Sequence, residues 1–245
     1  MVLLNNLNKK FCEVRLNGCK NVIKEYLEKT ASVAISLRSL AEKYAIDAFA
    51  VKCFPEFIDE FKMVPCAAIG RTTDKGIMTA CEEDMIGALT MLIEHYLTGN
   101  PVFFVDLISM DEKTNIGVVW HCGNAPIAMA ENPEEIRYGY HSILSQESPV
   151  GLTREFACKG GSVTCARISE RENNYCIYAI GGEAVEGDAT LRGTSMKIKF
   201  YQPIKKIREV LFEDGVENHF AVVYGDIRDQ LKDLSKWLGI NSVIL

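Results

Sequence analysis

The sequence has no Cys-x-x-Cys pair, and its nine cysteines are an odd number scattered at irregular spacing. That argues against a zinc ribbon and against a disulfide framework, so the thiols are expected to be reduced, small hydrophobes. Long apolar runs are missing as well. VFFVDLI and AVVYG fall far short of the roughly 18 to 20 residues that a bilayer crossing needs. The opening MVLLNNLNKK is too poor in apolar residues for a secretory signal, and a cytoplasmic location is the expectation. With 18 glycines and 7 prolines in 245 residues, collagen-like and low-complexity chains are excluded. Basic excess is absent too. Twenty-seven basic residues face 33 acidic ones, a net charge of −6 that offers no global field to nucleic acid or anionic lipid, so neither is an expected partner. No Gly-x-Gly-x-x-Gly or Gly-Lys-Ser/Thr loop is present to cradle phosphate, and no Gly-x-Ser-x-Gly or Cys-Gly-Ser-Cys signature supports a serine or cysteine hydrolase.

What is present is enough apolar sequence, 48%, to build a substantial core. Two helical stretches are predicted between Lys20 and Tyr44, NVIKEYLEK and ASVAISLRSLAEKY, with Thr30 as a cap of the second and Val33, Leu37, Leu40 and Ala41 on its stripe. IDAFAVKCF reads as a buried strand of a βαβ-type layer closed by Pro55, followed by the short apolar run VPCAAIG. Glu83 to Leu97 reads as an amphipathic helix with Ile86, Leu89, Ile93 and Tyr96 on one stripe and Gly99 at its C′ position. Beyond Pro101 come glycine-punctuated strands without intervening helices: VFFVDLI, IGVVWH, TREFAC, GSVTCARI, NYCIYAIGGE, SMKIKFY and HFAVVYG. The pairs at Gly160 and Gly181 read as hairpin turns. Only IRDQLKDLSKWLG reads as a further helix, with Ile227, Leu231, Leu234 and Leu238 along one side. The predicted fold is therefore α/β: a Rossmann-like α/β segment over residues 1–98, then a β-rich, barrel-like antiparallel domain over residues 99–245. The two share an interface, because no polar linker separates them.

Polar residues at element ends are the candidates for chemistry. Cys81-Glu82-Glu83-Asp84 opens a helix, where acids complement the helix dipole, but three in succession exceed what capping needs. Asp106 sits inside an apolar strand, and an unpaired buried carboxylate would cost several kcal/mol. A cation, an arginine or a backbone cap would each satisfy it. His121 closes the strand IGVVWH before a glycine turn, and His219 starts another strand. His95 is expected on a helix surface and His141 in a loop. Carboxylates with one or two imidazoles suit octahedral Mn²⁺ or Mg²⁺ better than a thiolate zinc site. The stretch KIKFYQPIKKIREV, with five basic residues, is expected to be a solvated face rather than an RNA surface.

KCFPEF, VPCAAIGRTTDKGIMTACEEDMIGALTMLIEHYLTGNPVFFVD, WHCGNAP, GGSVTCARI and NHFAVVYGD, in that order, resemble the central and C-terminal parts of the L-fucose isomerase and L-arabinose isomerase superfamily. The resemblance spans most of the chain. It implies a metal held by Glu82, Asp106 and His219, with His121 similar to a further histidine ligand of the arabinose branch. It also implies Mn²⁺, or Mg²⁺ or another divalent cation, and ketol isomerisation of a small sugar through an ene-diol, with Glu82 and Asp106 as acid and base. Family members carry a further N-terminal α/β domain and form oligomers. The expectation is therefore a homo-oligomer, with a separately encoded N-terminal half as a further partner. The alternative is a non-catalytic sugar- or metal-binding paralogue lacking the substrate domain.

Overall fold

The computed structural model describes residues 20–145, 149–172, 174–187 and 191–245, with side chains from residue 24 onward. The opening decamer read above for a secretory signal lies outside the described residues. Helix α1 runs over Lys20–Tyr44 and is followed by strand β1 (Ala48–Ala50), α2 (Glu56–Phe61), α3 (Cys66–Thr73), β2 (Met78–Ala80) and α4 (Met85–Thr98). Strands β3 (Phe103–Asp111), β4 (Ile116–His121), β5 (Arg137–Tyr140), β6 (Gly151–Ala157), β7 (Gly161–Arg171), β8 (Asn174–Val185) and β9 (Thr194–Phe200) come next. Then follow α5 (Ile204–Glu213), β10 (His219–Tyr224), α6 (Arg228–Leu238) and β11 (Asn241–Ile244). No helix among the described residues is long and apolar enough to cross a membrane.

Six strands close a barrel in the order β8-β7-β10-β3-β4-β9, and β9 returns to β8 through the pairs Gly182 with Phe200 to Val185 with Lys197. Every neighbouring pair in this ring is antiparallel, so closure removes the free edges that an open sheet would present. Strand β11 adds to β8 and β6 adds to β9, both in parallel. Before the barrel, β1 and β2 form a separate parallel pair. Alternation along each strand divides two cores. Phe103, Val105, Val163, Cys165, Phe220 and Val222 belong to one cluster inside the barrel. Phe104, Ala166, Ile168, Ala221 and Val223 face the other way and join Met78, Ala80, Ala88 and Met91 of the α/β segment. Burial on both faces explains why these strands read as unbroken apolar runs.

Several local expectations need correction. Residues 20–44 form one continuous helix, and Thr30 is buried within it rather than capping a second one. VPCAAIG, read above only as a short apolar run, enters α3, with Pro65 immediately before the first helical residue. Helix α4 begins at Met85 and buries Gly87, Ala88, Thr90, Met91 and Glu94, while Leu89 and Tyr96 are exposed. The small residues win because the helix lies close on the barrel wall: a Cβ on Gly87 would stand 2.4 Å from the Phe104 ring. KIKFYQPIKKIREV contains a second late helix, α5, whose Ile204, Ile207 and Leu211 are buried. Gly181 and Gly182 lie in mid-strand, not in a hairpin turn. A Cβ on Gly182 would meet Ile198 Cγ2 at 2.5 Å, so this glycine permits close approach where the barrel closes. Of the α6 stripe, Ile227 and Leu231 are buried and Leu238 is exposed.

Candidate metal centre

The turn between β2 and α4 carries the three consecutive acids, and it assigns them three different environments. Asp84 is the N-cap of α4, and its Oδ1 accepts the Gly87 N–H at 2.6 Å. Glu82 and Glu83 both adopt the left-handed backbone, with φ of 59° and 58°. Two successive non-glycine residues in that region cost about 1–3 kcal/mol each, a strain typical of functional turns. The conformation leaves the Glu82 side chain standing free of the helix, 48% exposed.

The barrel brings the other candidates to the same place. His219 and Asp106 are direct register partners across β10 and β3, and facing residues of an antiparallel pair project to the same side. His219 Nε2 stands 3.4 Å from Asp106 Oδ1 and 3.5 Å from Glu82 Oε2. His121, the last residue of β4, is buried and places Nε2 3.9 Å from Glu82 Oε1. One ligand atom each from Glu82, His121 and His219 lies within 4.8 Å of the others. Phe104 packs against both imidazoles, at ring-centroid distances of 5.8 and 4.8 Å.

Electrostatics distinguish the members of the cluster. Burial works against a charge on His219, but contacts with Asp84 and Glu82 and the charge of Asp106 outweigh it, and its pKa is raised to about 9. Burial alone would raise the Asp84 pKa, but His219, Arg167 and the Gly87 N–H overcome it and lower it to about 2. Contact with His219 lowers the Glu82 carboxyl, whereas burial raises that of Asp106. Burial lowers His121 to about 4, so it is neutral at pH 7. Because His121 Nδ1 accepts the Cys122 N–H at 2.8 Å, its proton resides on Nε2. That Nε2 is buried with no hydrogen-bond partner among the described residues.

The donor set fits a hard divalent cation. It contains two carboxylates and an imidazole, and cis ligands of an octahedral ion 2.1 Å away lie about 3 Å apart, close to the separations around His219 Nε2. Asp84 Oδ2 lies 3.1 Å from His219 Nδ1 and aims the opposite nitrogen at the cluster, the support that metal-bound imidazoles ordinarily receive. The environment of His121 differs, because its Nε2 presents a proton rather than a lone pair. Asp106 gains a partner not foreseen from the sequence, since Asn218 Nδ2 donates to it at 2.8 Å. Arg167 was also missed: it is buried on β7 and donates to Asp84 Oδ2 at 2.5 Å. Its only signal in the sequence was a charge embedded in the apolar run GSVTCARI. His141 lies in a loop as expected. It is nevertheless buried, with Nδ1 accepting the Ile143 and Leu144 N–H groups. His95 is partly exposed on α4, its Nδ1 2.7 Å from the Asn100 carbonyl.

A cavity of about 380 Å³ opens over the cluster, lined by Glu82, Glu83, His121, His141, Lys52 and Phe54, four cysteines, and the apolar residues Val64, Pro65, Ile143 and Leu144. A concave, largely apolar wall with convergent polar groups is the form of a small-molecule site.

Fold and site together define a class: a closed antiparallel barrel with an α/β segment against its wall, presenting carboxylates and imidazoles to a cavity where a divalent cation can be held. The chain belongs to the L-fucose isomerase family, whose C-terminal domain model matches residues 119–245. It is also similar to sulfoquinovose isomerase of Priestia aryabhattai, at 28% identity over 90% of this chain and 49% of that protein. The sulfoquinovose isomerase of Alkalicoccus urumqiensis is 28% identical over 86% of this chain and 47% of its own length. That of Clostridium sp. (strain MSTE9) is 27% identical over 96% and 52%. The chain thus spans about half the length of the curated relatives it matches.

Proposed function

We propose that this chain supplies the metal-binding half of an aldose–ketose isomerase, acting on a small sugar through an ene-diol. The observation that carries this reading is the convergence of Glu82, Asp106 and His219, three residues far apart in sequence, beside a cavity whose wall Glu82 and His121 share. Sulfoquinovose, from the name of the relatives, is the first sugar to test, ahead of L-fucose and L-arabinose.

Glu82, Asp106 and His219 would hold a divalent cation, Mn²⁺ in the first instance, which supplies polarisation of the sugar carbonyl and hydroxyl. Glu82, the more open carboxylate, takes the proton from the carbon beside the carbonyl and returns it to the neighbouring carbon. Asp106, 18% exposed and held by Asn218, moves the hydroxyl proton between the two oxygens. His121 has an unpartnered Nε2–H at the cavity wall and donates to a sugar oxygen. This arrangement gives the buried donor the acceptor it lacks. Asp84 keeps His219 oriented. The apolar wall limits water around the reacting carbons.

The test is titration calorimetry with Mn²⁺ together with an isomerase assay of the complete protein on the three sugars. Saturable Mn²⁺ binding that Glu82→Gln removes, with turnover on one of the sugars, is expected. Absence of Mn²⁺ binding by folded protein refutes the reading. Mn²⁺ binding without turnover of any of the three sugars would instead mark a non-catalytic sugar- or metal-binding paralogue.

A further inference from the structure

The proposed isomerisation gives no role to Arg154, a fully buried side chain on β6. Its Nη2 donates to Asp74 Oδ2 at 2.8 Å and its Nη1 to the Ala125 carbonyl at 2.8 Å. Its backbone N–H donates to the Gly123 carbonyl at 3.2 Å. Asp74 follows α3, and its other oxygen, Oδ1, accepts the Ile127 N–H at 2.7 Å. Alternate residues of the segment after His121, at 123, 125 and 127, are thus bonded to one buried ion pair. The contact is close: Gly123 has a φ of 122°, and a Cβ on it would stand 2.6 Å from the Arg154 backbone nitrogen and oxygen.

Stability alone does not account for such a pair, since apolar side chains of similar volume often do as well in its place. A guanidinium fork, by contrast, fixes its partners in distance and direction. What it fixes here is the turn that decides the His121 tautomer. Pairing of β4 with β9 sets the backbone up to His121. Immediately after it, the Cys122 N–H donates to His121 Nδ1 at 2.8 Å. If Cys122 turned away, Nδ1 would be open to the proton, and Nε2 would present a lone pair instead of a hydrogen. We infer that Arg154 is a positioning residue: with Asp74 it holds the 122–127 segment so that His121 keeps its proton on Nε2 and remains a donor at the cavity wall. The tautomer stands independently of the proposed isomerase reading, while its consequence for turnover rests on that reading.

The experiment is nitrogen NMR of the complete protein, metal-free and isotope-labelled at histidine, in wild type and in the double variant Asp74→Asn/Arg154→Met. The two substitutions remove both charges together and leave no buried ion unpaired. Wild type should show His121 as a single tautomer protonated at Nε2, and the variant should show both tautomers. His141, whose Nδ1 accepts the Ile143 and Leu144 N–H groups, is the internal control and should keep one tautomer throughout. In the isomerase assay, kcat should fall by about 10- to 100-fold, as for a misplaced catalytic group, with Mn²⁺ affinity unchanged because His121 is not among the proposed ligands. If the double variant does not fold, Arg154→Lys takes its place with the same results expected, since it keeps the charge and loses the fork. A wild-type His121 not protonated at Nε2, a single tautomer retained in the variant, a second tautomer at His141 as well, an unaltered kcat, or a loss of Mn²⁺ affinity alongside kcat overturns the inference. Folded wild type that binds no Mn²⁺ or turns over no sugar counts against the isomerase reading alone, because the tautomers are read without metal or substrate and still decide the inference.

Discussion

Replacing Asp84 by asparagine separates the several duties this side chain performs. Its carboxylate caps α4 through the Gly87 N–H, pairs with buried Arg167, and contacts His219. Asparagine keeps an oxygen for the cap and loses only the charge. Arg167 is then left with Glu217, 3.6 Å from its Nε and 43% exposed, a partner too solvated to replace Asp84. Removing one member of a buried ion pair costs about 3–5 kcal/mol, and Asp84 and Arg167 are 11% and 5% exposed. The lower end is the better expectation, since Glu217 remains. At roughly 2–4 °C per kcal/mol for a chain of this size, a Tm decrease of about 6–12 °C follows. Asp84→Ala loses the cap as well, adding about 1 kcal/mol. The pH dependence gives a second reading. The Asp84 pKa is depressed from 3.8 to about 2, so its contribution of about 2 kcal/mol is complete above 3.8 and disappears as pH falls through 2. Urea denaturation at pH 7 and at acid pH measures both effects. Wild type and Asp84→Asn should differ most at pH 7 and converge toward pH 2. A difference below about 0.5 kcal/mol at pH 7, the range of ordinary surface substitutions, would refute the reasoning.

The strained turn predicts opposite effects on stability and binding. Glu82→Gly relieves a left-handed non-glycine residue and should raise the stability of the metal-free protein by about 1 kcal/mol while abolishing Mn²⁺ binding, both read by thermal denaturation with and without Mn²⁺. His219 supplies a pH test. Its pKa is raised to about 9, so its stabilisation of metal-free protein is complete below its unfolded value of 6.5 and is lost as pH rises through 9. Mn²⁺ must displace that proton, so affinity should rise with pH up to about 9. Calorimetry in buffers of different ionisation enthalpy should show about one proton released. A third test lies at the barrel closure. Gly182→Ala forces a contact with Ile198 and the Lys199 carbonyl and should cost about 1–3 kcal/mol by overpacking, measured by urea denaturation.

The barrel was legible because its strands carry their own signal. Runs such as HFAVVYG and GSVTCARI are apolar on both faces, which is what a wall between an inner core and a covering helix requires. Helix α4 was legible in extent but not in orientation. Its conspicuous large residues include Leu89 and Tyr96, yet both are exposed, while Gly87 and Ala88 face the barrel. Periodicity weighs side-chain size, whereas contact with a flat wall rewards its absence. The acids of the β2–α4 turn show the same limit. Three carboxylates in succession are equivalent to any rule of composition, and only backbone conformation separates Asp84, which caps, from Glu82, which is turned away from the helix by a positive φ. His219 and Asp106 lie far apart along the chain, and no spacing rule relates them. What joins them is a strand register fixed by alternation on both sides of β3 and β10. A one-residue slip would exchange the two cores and send both side chains away from Glu82. The apolar residues that choose that register therefore assemble the candidate centre, and one of them, Phe104, packs against both of its imidazoles.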